Sequence, residues 1–363
     1  MSDKPKAGDK SKTVKKVFLD EKKYLVITLF VVVILFISII VGVFSKAETT
    51  DQIFCGDGTE YNSCSLTKPY FCSENGNLID LASSCGCPDG FNQEGNFCTV
   101  DYERAKDISL DYVVRGRNYS SHFIVYEEFA NYVSEIPRSI HYSSSEDSSR
   151  ADFKKKAIGD PEQRDMLMPL VIKIQNMTSD KEDQVRIAIS IVQNIPFGYS
   201  NKTIQFGEYN LTHSRYPYEV LYDEHGICGE KTDLLAFLLK ELGYGVGFFY
   251  YPQENHEAIG IKCPSRESLL DTGYCFVETT GSSILTDNEI YFSNIGQLKS
   301  TPEFYLISDG EELSRGMYEY EDADMLMKIR YFIIENGYLW PSKKKMYDDL
   351  DAKYGLAEIY YGG

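Results

Sequence analysis

Two stretches near the middle of the chain have apolar residues at helical spacing. The first predicted helix starts at Ser179, where Ser179 and Glu182 have the spacing of a capping box, and it ends near Pro196. Its apolar positions are Val185, Ile187, Ala188, Ile191 and Val192. The second predicted helix runs from Cys228 to Leu242. Its apolar face consists of Leu235, Leu238, Leu239 and Leu242.

Short apolar runs after the second helix are typical of strands. The predicted strands are Val246–Tyr251, Ala258–Cys263 and Tyr274–Thr279. A helix followed by successive strands indicates an α+β fold with an antiparallel sheet. Further helices are predicted around residues 127–136 and from Asp322 to about Asn336.

The longest apolar run, Tyr24–Phe44, contains 21 residues without a charge. About 20 apolar residues span a bilayer as a helix, so this run is predicted to be a single-pass transmembrane helix. The lysine-rich residues 1–23 before it are then predicted to be a cytoplasmic tail, with the rest of the chain outside the cell membrane. The alternative is a cleaved signal peptide, because Ser45-Lys46-Ala47 resembles a cleavage site, but signal peptides usually have a shorter apolar run.

The charge of the chain is unevenly distributed. The formal net charge is −18, from 37 basic and 55 acidic residues. Residues 1–23 hold eight of the basic and four of the acidic residues, which leaves 29 against 51 in the rest, a balance of −22. Nucleic-acid binding needs clustered Lys and Arg, so this acidic body argues against that class of function.

Six of the nine cysteines fall within the polar segment 51–99. They are Cys55, Cys64, Cys72, Cys85, Cys87 and Cys98. A segment so poor in apolar residues needs covalent links to hold its fold, and outside the cell these are predicted to be three disulfides, for which 15 pairings are possible. A zinc site is disfavoured because the segment contains neither a CxxC pair nor a histidine.

The remaining three cysteines lie in the larger part of the chain. Cys263 and Cys275 are placed at the facing ends of two predicted strands and could close that connection as a disulfide. Cys228 is then left over, and an odd cysteine in an exported protein is either an intermolecular link or a reactive thiol. A disulfide from Cys228 to Cys263 or Cys275, or an inert buried thiol, is the alternative.

The surroundings of Cys228 favour a nucleophile. It stands between two glycines in HGICGEKTD, at the predicted start of a helix, where free N–H groups favour a thiolate. His256 is the predicted base and Glu278 the acid that orients it, since adjacent antiparallel strands would bring these two together. The alternatives are His225 for the base, and Glu257 or Asp271 for the acid.

These motifs resemble the transglutaminase-like superfamily, whose members have a papain-like α+β core with a Cys-His-Asp triad. The likeness covers about residues 180–283 of a domain at 101–310, and a helical extension, 311–363, follows. The resemblance assigns Cys228 as nucleophile, His256 as base and Glu278 as acid. Two departures are the Glu in place of the usual Asp, and Glu-Ala after the histidine where many members have Ala-Trp.

The resemblance implies an extracytoplasmic enzyme that acts on amide bonds of a protein or peptide through a thioester. Resolution by water would make it a peptidase or amidase, and resolution by an amine would make it a cross-linking enzyme. No cofactor and no metal are expected, because the acidic run Glu321–Asp324 lacks the spacing of a calcium loop. The alternative is a catalytically silent binding or assembly module at the cell surface.

Overall fold

The structure is a computed structural model that describes residues 54–100, 102–140, 149–206, 209–289, 291–292 and 296–356. Its helices are α1 (Ala82–Cys85), α2 (Glu127–Glu135), α3 (Arg150–Ile158), α4 (Pro161–Met177), α5 (Lys181–Asn194), α6 (Pro217–Asp223), α7 (Cys228–Glu241), α8 (Tyr318–Asn336) and α9 (Pro341–Tyr354). Its strands are β1 (Tyr70–Cys72), β2 (Leu78–Asp80), β3 (Asn92–Glu94), β4 (Phe97–Thr99), β5 (Ala105–Val114), β6 (Arg117–Tyr126), β7 (Thr203–Phe206), β8 (Tyr209–Thr212), β9 (Val246–Tyr251), β10 (His256–Lys262), β11 (Tyr274–Val277), β12 (Tyr291–Phe292), β13 (Gly296–Gln297) and β14 (Glu303–Ser308). The predicted α+β class with antiparallel pairing is confirmed.

The central sheet has the strand order β11-β10-β9-β14, and all of its neighbours are antiparallel. Successive residues of β10 face opposite sides of this sheet, as the two-residue period of a strand requires. Ile259 and Ile261 pack into the main core, which contains the leucines of α7. Ala258 packs on the other side with Phe249 and Phe276. Both faces of the sheet are therefore covered, and helix α7 lies against β10.

Helix α5 fixes one side of the core. Ten of its 14 residues are buried, and it packs against α7 and against strand β5 of the hairpin β5–β6. Its N-terminal cap is Asp180, whose carboxylate accepts the backbone N–H groups of Glu182 and Asp183, so the predicted cap at Ser179 is wrong by one residue. Asp is as good a cap as Ser because both offer a side-chain oxygen to free N–H groups.

All eight cysteines other than Cys228 form disulfides. The cysteine-rich segment contains Cys55–Cys72, Cys64–Cys85 and Cys87–Cys98, and the β10–β11 connection is closed by Cys263–Cys275. The expected disulfides are confirmed, and the three pairings in the segment are among those that the sequence left open. A chain with this many disulfides has the character of an extracellular or secreted protein.

The predicted fold class needs one correction, because its transmembrane helix has no counterpart in the part of the chain that the structure describes. The segment proposed for it, Tyr24–Phe44, lies outside the described residues, as does the tail 1–23. Among the helices described, none combines the length and the apolar character that crossing a bilayer requires. The longest of them, Tyr318–Asn336, carries several acidic and basic side chains.

Candidate active site

Cys228 is the first residue of α7 and the free cysteine of the described residues, and its side chain is half-buried. The loop before it is held in place because the N–H of Gly226 donates to the carbonyl of Pro196 at 3.1 Å. Glu230 accepts the N–H of Ile227 at 3.0 Å, which fixes the first turn of the helix. Within the described residues, the N–H of Cys228 has no acceptor, as is usual for the first turn of a helix.

The structure brings His256 and Glu278 together with Cys228. The Nε2 atom of His256 lies 2.8 Å from Oε2 of Glu278, and both side chains are buried. Cys228 is the other neighbour of the imidazole, where its hydrogen bonding and charge contribute to the raised pKa of His256. Because Nε2 is used by Glu278, the nitrogen that remains for the thiol is Nδ1. The three residues predicted from the sequence therefore form one connected chain of hydrogen bonds.

The carboxylate of Glu278 is held rigidly by its other oxygen. Oε1 accepts the N–H groups of Thr279 at 2.9 Å and Thr280 at 2.7 Å, and also the Thr280 hydroxyl at 2.7 Å. Burial by itself raises the pKa of Glu278, but the hydrogen bond and charge of His256 and the bonds from Thr280 outweigh it and lower the pKa. Glu278 is therefore an anion that is aimed at the imidazole.

The pKa of His256 is raised to about 10. Burial alone lowers this pKa, because it disfavours the charged ring, but the hydrogen bonds and charges of Cys228 and Glu278 outweigh burial. At neutral pH the imidazole is therefore protonated between two partners that favour the cation.

The alternative site residues are occupied elsewhere. His225 donates from Nδ1 to the carbonyl of Asp223 at 2.7 Å, and its Nε2 accepts from Arg215. Glu257 forms ion pairs with basic side chains of α3, as described below, and Asp271 lies exposed at the end of a short 3-10 helix. None of these three residues takes the place of His256 beside the thiol or of Glu278 beside the imidazole.

A cleft of about 620 Å³ opens beside the thiol. Its lining consists of Arg138, Arg150, Phe153, Lys154, Lys156, Ala157, Ser214, Tyr216, Ile227, Cys228, Gly229, Glu230, Asp233, Asn255 and Glu257. Cys228 is thus reachable from the cleft, while His256 and Glu278 are buried behind it. A molecule that enters the cleft therefore reaches Cys228 before it reaches His256.

Gly229 allows a buried carboxylate to approach the start of the helix. A Cβ atom at this position would lie 2.5 Å from Oε2 of Glu257, which is itself bonded to Lys154 at 2.6 Å. Since real Cβ atoms do not approach an oxygen this closely, any larger residue would displace the carboxylate or the helix start.

We expect Gly229→Ala to destabilise the protein by about 1–3 kcal/mol, the usual cost of overpacking. Elsewhere in a helix the same change is favourable, because Ala has the higher helix propensity. Thermal unfolding measures the effect, with Gly281→Ala as the matched control, since a Cβ there has no atom within 4 Å. A melting temperature of Gly229→Ala at or above that of the wild type would contradict the close contact.

Two buried residues that the sequence analysis missed support the acid. Gln193 donates from Nε2 to the backbone carbonyl of Glu278 at 2.9 Å. Lys231, three residues after Cys228, donates from Nζ to the carbonyls of Gln193 and Ile195. Burial lowers the pKa of Lys231 to about 8 despite the attraction of Glu278. The one feature of the sequence that could have identified Lys231 is its position on the buried side of a leucine-rich helix.

In the described part of the chain, no three His, Cys, Asp or Glu side chains are grouped as a metal site requires. Comparisons with protein-family models, with curated proteins and with solved structures gave no match.

Proposed function

We propose that this chain is an extracellular cysteine enzyme of the transglutaminase-like kind, which acts on amide bonds through a thioester. The observation that carries the proposal is the hydrogen-bonded series Cys228–His256–Glu278 at the edge of an open cleft. A thiol, an imidazole and a carboxylate in this order are the arrangement that activates a cysteine nucleophile.

In the first step, Sγ of the Cys228 thiolate attacks the amide carbon. The proton on Nδ1 of His256 passes to the leaving nitrogen, the C–N bond breaks and an acyl-thioester remains. In the second step, water or an amine attacks the thioester and returns a proton to His256, so the thiolate and imidazolium are restored. Glu278 keeps its negative charge throughout and stabilises the imidazolium.

The backbone N–H of Cys228 supports the first step. It lies at the N-terminus of α7 without an acceptor among the described residues, and the helix dipole favours negative charge there. An amide oxygen that becomes an oxyanion beside Cys228 would accept this N–H. Donors of this kind stabilise the charge that develops in acyl transfer.

We expect Cys228 to react with iodoacetamide at pH 6 at least about ten times faster than glutathione does. The reason is that an ordinary thiol has well under about 1% thiolate at pH 6, whereas an imidazolium favours the thiolate. Mass spectrometry of the native full-length chain identifies the modified residue, and Cys228→Ala supplies the blank.

A rate no higher than that of glutathione would contradict the proposal and favour a silent surface module. Such a module uses the same fold for binding and has no need of an accessible, activated thiol. A fast Cys228 would then justify a search for substrates, with a fluorescent primary amine added to separate transfer from hydrolysis.

A further inference from the structure

One wall of the cleft is the basic helix α3 (Arg150–Ile158). Arg150, Phe153, Lys154 and Ala157 line the cleft and lie three and four residues apart, which is one helix face. The helix RADFKKKAI carries four basic residues and one acidic residue, in a chain whose net charge is −18. The nucleophile therefore faces a local concentration of positive charge on an otherwise acidic protein.

Arg150 is a cation of this wall that is held in place and still has donors to spare. One of its Nη atoms donates to Oε1 of Glu257 at 2.9 Å, and its guanidinium lies 3.5 Å from the ring centre of Tyr250. Its side chain remains 39% exposed. A guanidinium has five N–H donors, and within the described residues only that one hydrogen bond uses them. The carboxylate and the ring hold the group in one orientation, which favours bidentate binding of an anion.

The other two strongly held cations of the cleft have no such capacity. Lys154 uses its three donors on the carbonyl of Gly229 and on the carboxylates of Asp233 and Glu257. Arg138 is bonded to several backbone carbonyls and to Glu219. These two side chains have structural roles. Lys156, which also lines the cleft, donates to the carbonyl of Ser139, whereas Arg150 is oriented by both a carboxylate and a ring.

The position of Arg150 is tied to the nucleophile through Glu257. The Glu257 carboxylate bonds Arg150 with one oxygen, and its other oxygen lies against Gly229, the residue after Cys228. The distance from the guanidinium to the reacting thiol is thereby set by a buried contact. A carboxylate bound by Arg150 would lie within the same cleft as the thiol.

The charges around Arg150 leave a positive balance. Burial raises the pKa of Asp233 to about 7 against the pull of Lys154, so this carboxyl is neutral in slightly acidic solution. Four basic side chains line the cleft (Arg138, Arg150, Lys154 and Lys156) against three acidic ones (Glu230, Asp233 and Glu257), which leaves a local charge of +1 with Asp233 ionised and +2 with it protonated. The net negative charge of the whole chain acts over a longer range and is screened beyond about 8 Å at physiological salt.

We propose that this cleft selects acidic peptides, with Arg150 binding a substrate carboxylate close to the amide bond that Cys228 attacks. The exposed ring of Phe153 adds an apolar contact on the same wall. The inference rests on the proposed function, because it names the substrate class of that same site.

Two alkylating agents of nearly equal size test the anion preference at the thiol itself. Iodoacetate is an anion and iodoacetamide is neutral. The alkylation rate of Cys228 with iodoacetate, divided by its rate with iodoacetamide, therefore reports how strongly the cleft favours a negative charge. We expect Arg150→Gln to lower the ratio by about ten-fold, the usual effect of losing a charge-assisted hydrogen bond. Arg266→Gln is the matched control, because that arginine also pairs with a glutamate but is 92% exposed and lies outside the cleft.

Calorimetric titration of the full-length chain tests peptide binding by a signal that does not depend on how reactive the Cys228 thiol is. We expect N-acetyl tetra-aspartate amide to bind more tightly than the tetra-asparagine peptide, and Arg150→Gln to remove that difference. An unchanged alkylation ratio, or equal affinity for both peptides, would overturn the acidic substrate while leaving a fast Cys228 intact. If the acidic peptide binds but Cys228 is alkylated slowly, the proposed enzyme activity would be overturned and the anion site at Arg150 would stand.

Discussion

Replacing His256 with Gln should lower the rate at which iodoacetamide modifies Cys228 at pH 7 by about thirty-fold. The estimate follows from the few per cent of thiolate that an ordinary thiol has at this pH, compared with a thiolate paired to an imidazolium. Gln keeps a polar group of similar length beside Glu278 but carries no charge, so it tests the charge of the ring rather than its volume. Alkylation kinetics on the folded variant give the measurement.

Amide turnover should fall further than alkylation in the same variant. Alkylation needs the thiolate alone, whereas breaking the C–N bond also needs the proton that His256 gives to the leaving nitrogen. General acid catalysis contributes a further factor of about 10² to 10⁴. A loss in turnover no larger than the loss in alkylation would mean that His256 only activates the thiol.

His122→Gln is the matched control for this experiment. His122 is exposed at the surface and its ring lies 3.2 Å from the Asp107 carboxylate, so it too is a histidine beside an acid. The control should leave both rates within about two-fold of the wild type, as expected for a surface substitution. Equal effects of His122→Gln and His256→Gln would exclude a specific role for the buried histidine.

Local sequence patterns predicted the elements of the central sheet well. The strand Val246–Tyr251 has the predicted bounds, and the helix starting at Cys228 ends at Glu241, one residue early. The strand expected at Ala258–Cys263 starts two residues sooner, at His256, because this residue pairs with Tyr251 across the hairpin. Strand ends depend on such cross-strand partners, which a single run of residues does not contain.

Two strand pairings were missed, one local and one between distant segments of the chain. The long hairpin β5–β6 was read as mixed sequence, although its two strands pair from Ala105↔Tyr126 to Val114↔Arg117. Likewise, β14 pairs with β9 along the outer edge of the sheet, with more than 50 residues of chain between them. Alternation alone was too weak to identify these strands, since β14 is only half-buried.

The sequence predicted that Cys228, His256 and Glu278 lie together, but it did not predict the residues that surround them. Cysteine parity isolated Cys228, and strand adjacency connected His256 with Glu278, which are contacts that the structure contains. The catalytic role of these groups stays a prediction until it is measured. The cleft wall at Arg150 lies about 80 residues away in sequence and forms only through tertiary packing. Its one signal was a cluster of basic residues in an acidic chain.

Replacing Glu278 with Gln should move the pKa of His256 down by about 1–3 units, the usual contribution of a neighbouring carboxylate. In the wild type this pKa is about 10, because Cys228 and Glu278 together outweigh burial. Without the negative charge, the imidazole loses its proton at a lower pH, so under the proposed mechanism the pH range in which it can protonate a leaving nitrogen becomes narrower. Titration of the histidine ring signals by NMR measures the pKa directly.

The same substitution should change how stability depends on pH. A pKa raised in the folded state contributes stability that is complete below the unfolded value of about 6.5 and is lost as the pH rises through the folded value. The melting temperature of the wild type should therefore fall as the pH rises from about 6.5 toward about 10. The melting temperature of Glu278→Gln should fall less over the same pH range. A parallel decline in both proteins would contradict the assigned pKa.

Glu278→Asp keeps the negative charge of the acid but shortens its side chain by one methylene group, so it tests the two properties separately. The Glu278 carboxylate spans from Nε2 of His256 to the Thr280 N–H and hydroxyl, and the shorter Asp side chain would have to give up one of these ends. We expect Asp to keep its bond to the Thr280 backbone, which lies only two residues further along the chain, and to lose the bond to the imidazole. The pKa of His256 should then fall as it does in Glu278→Gln. A wild-type pKa in the Asp variant would mean that the backbone adjusts, and that the longer acid is not required here.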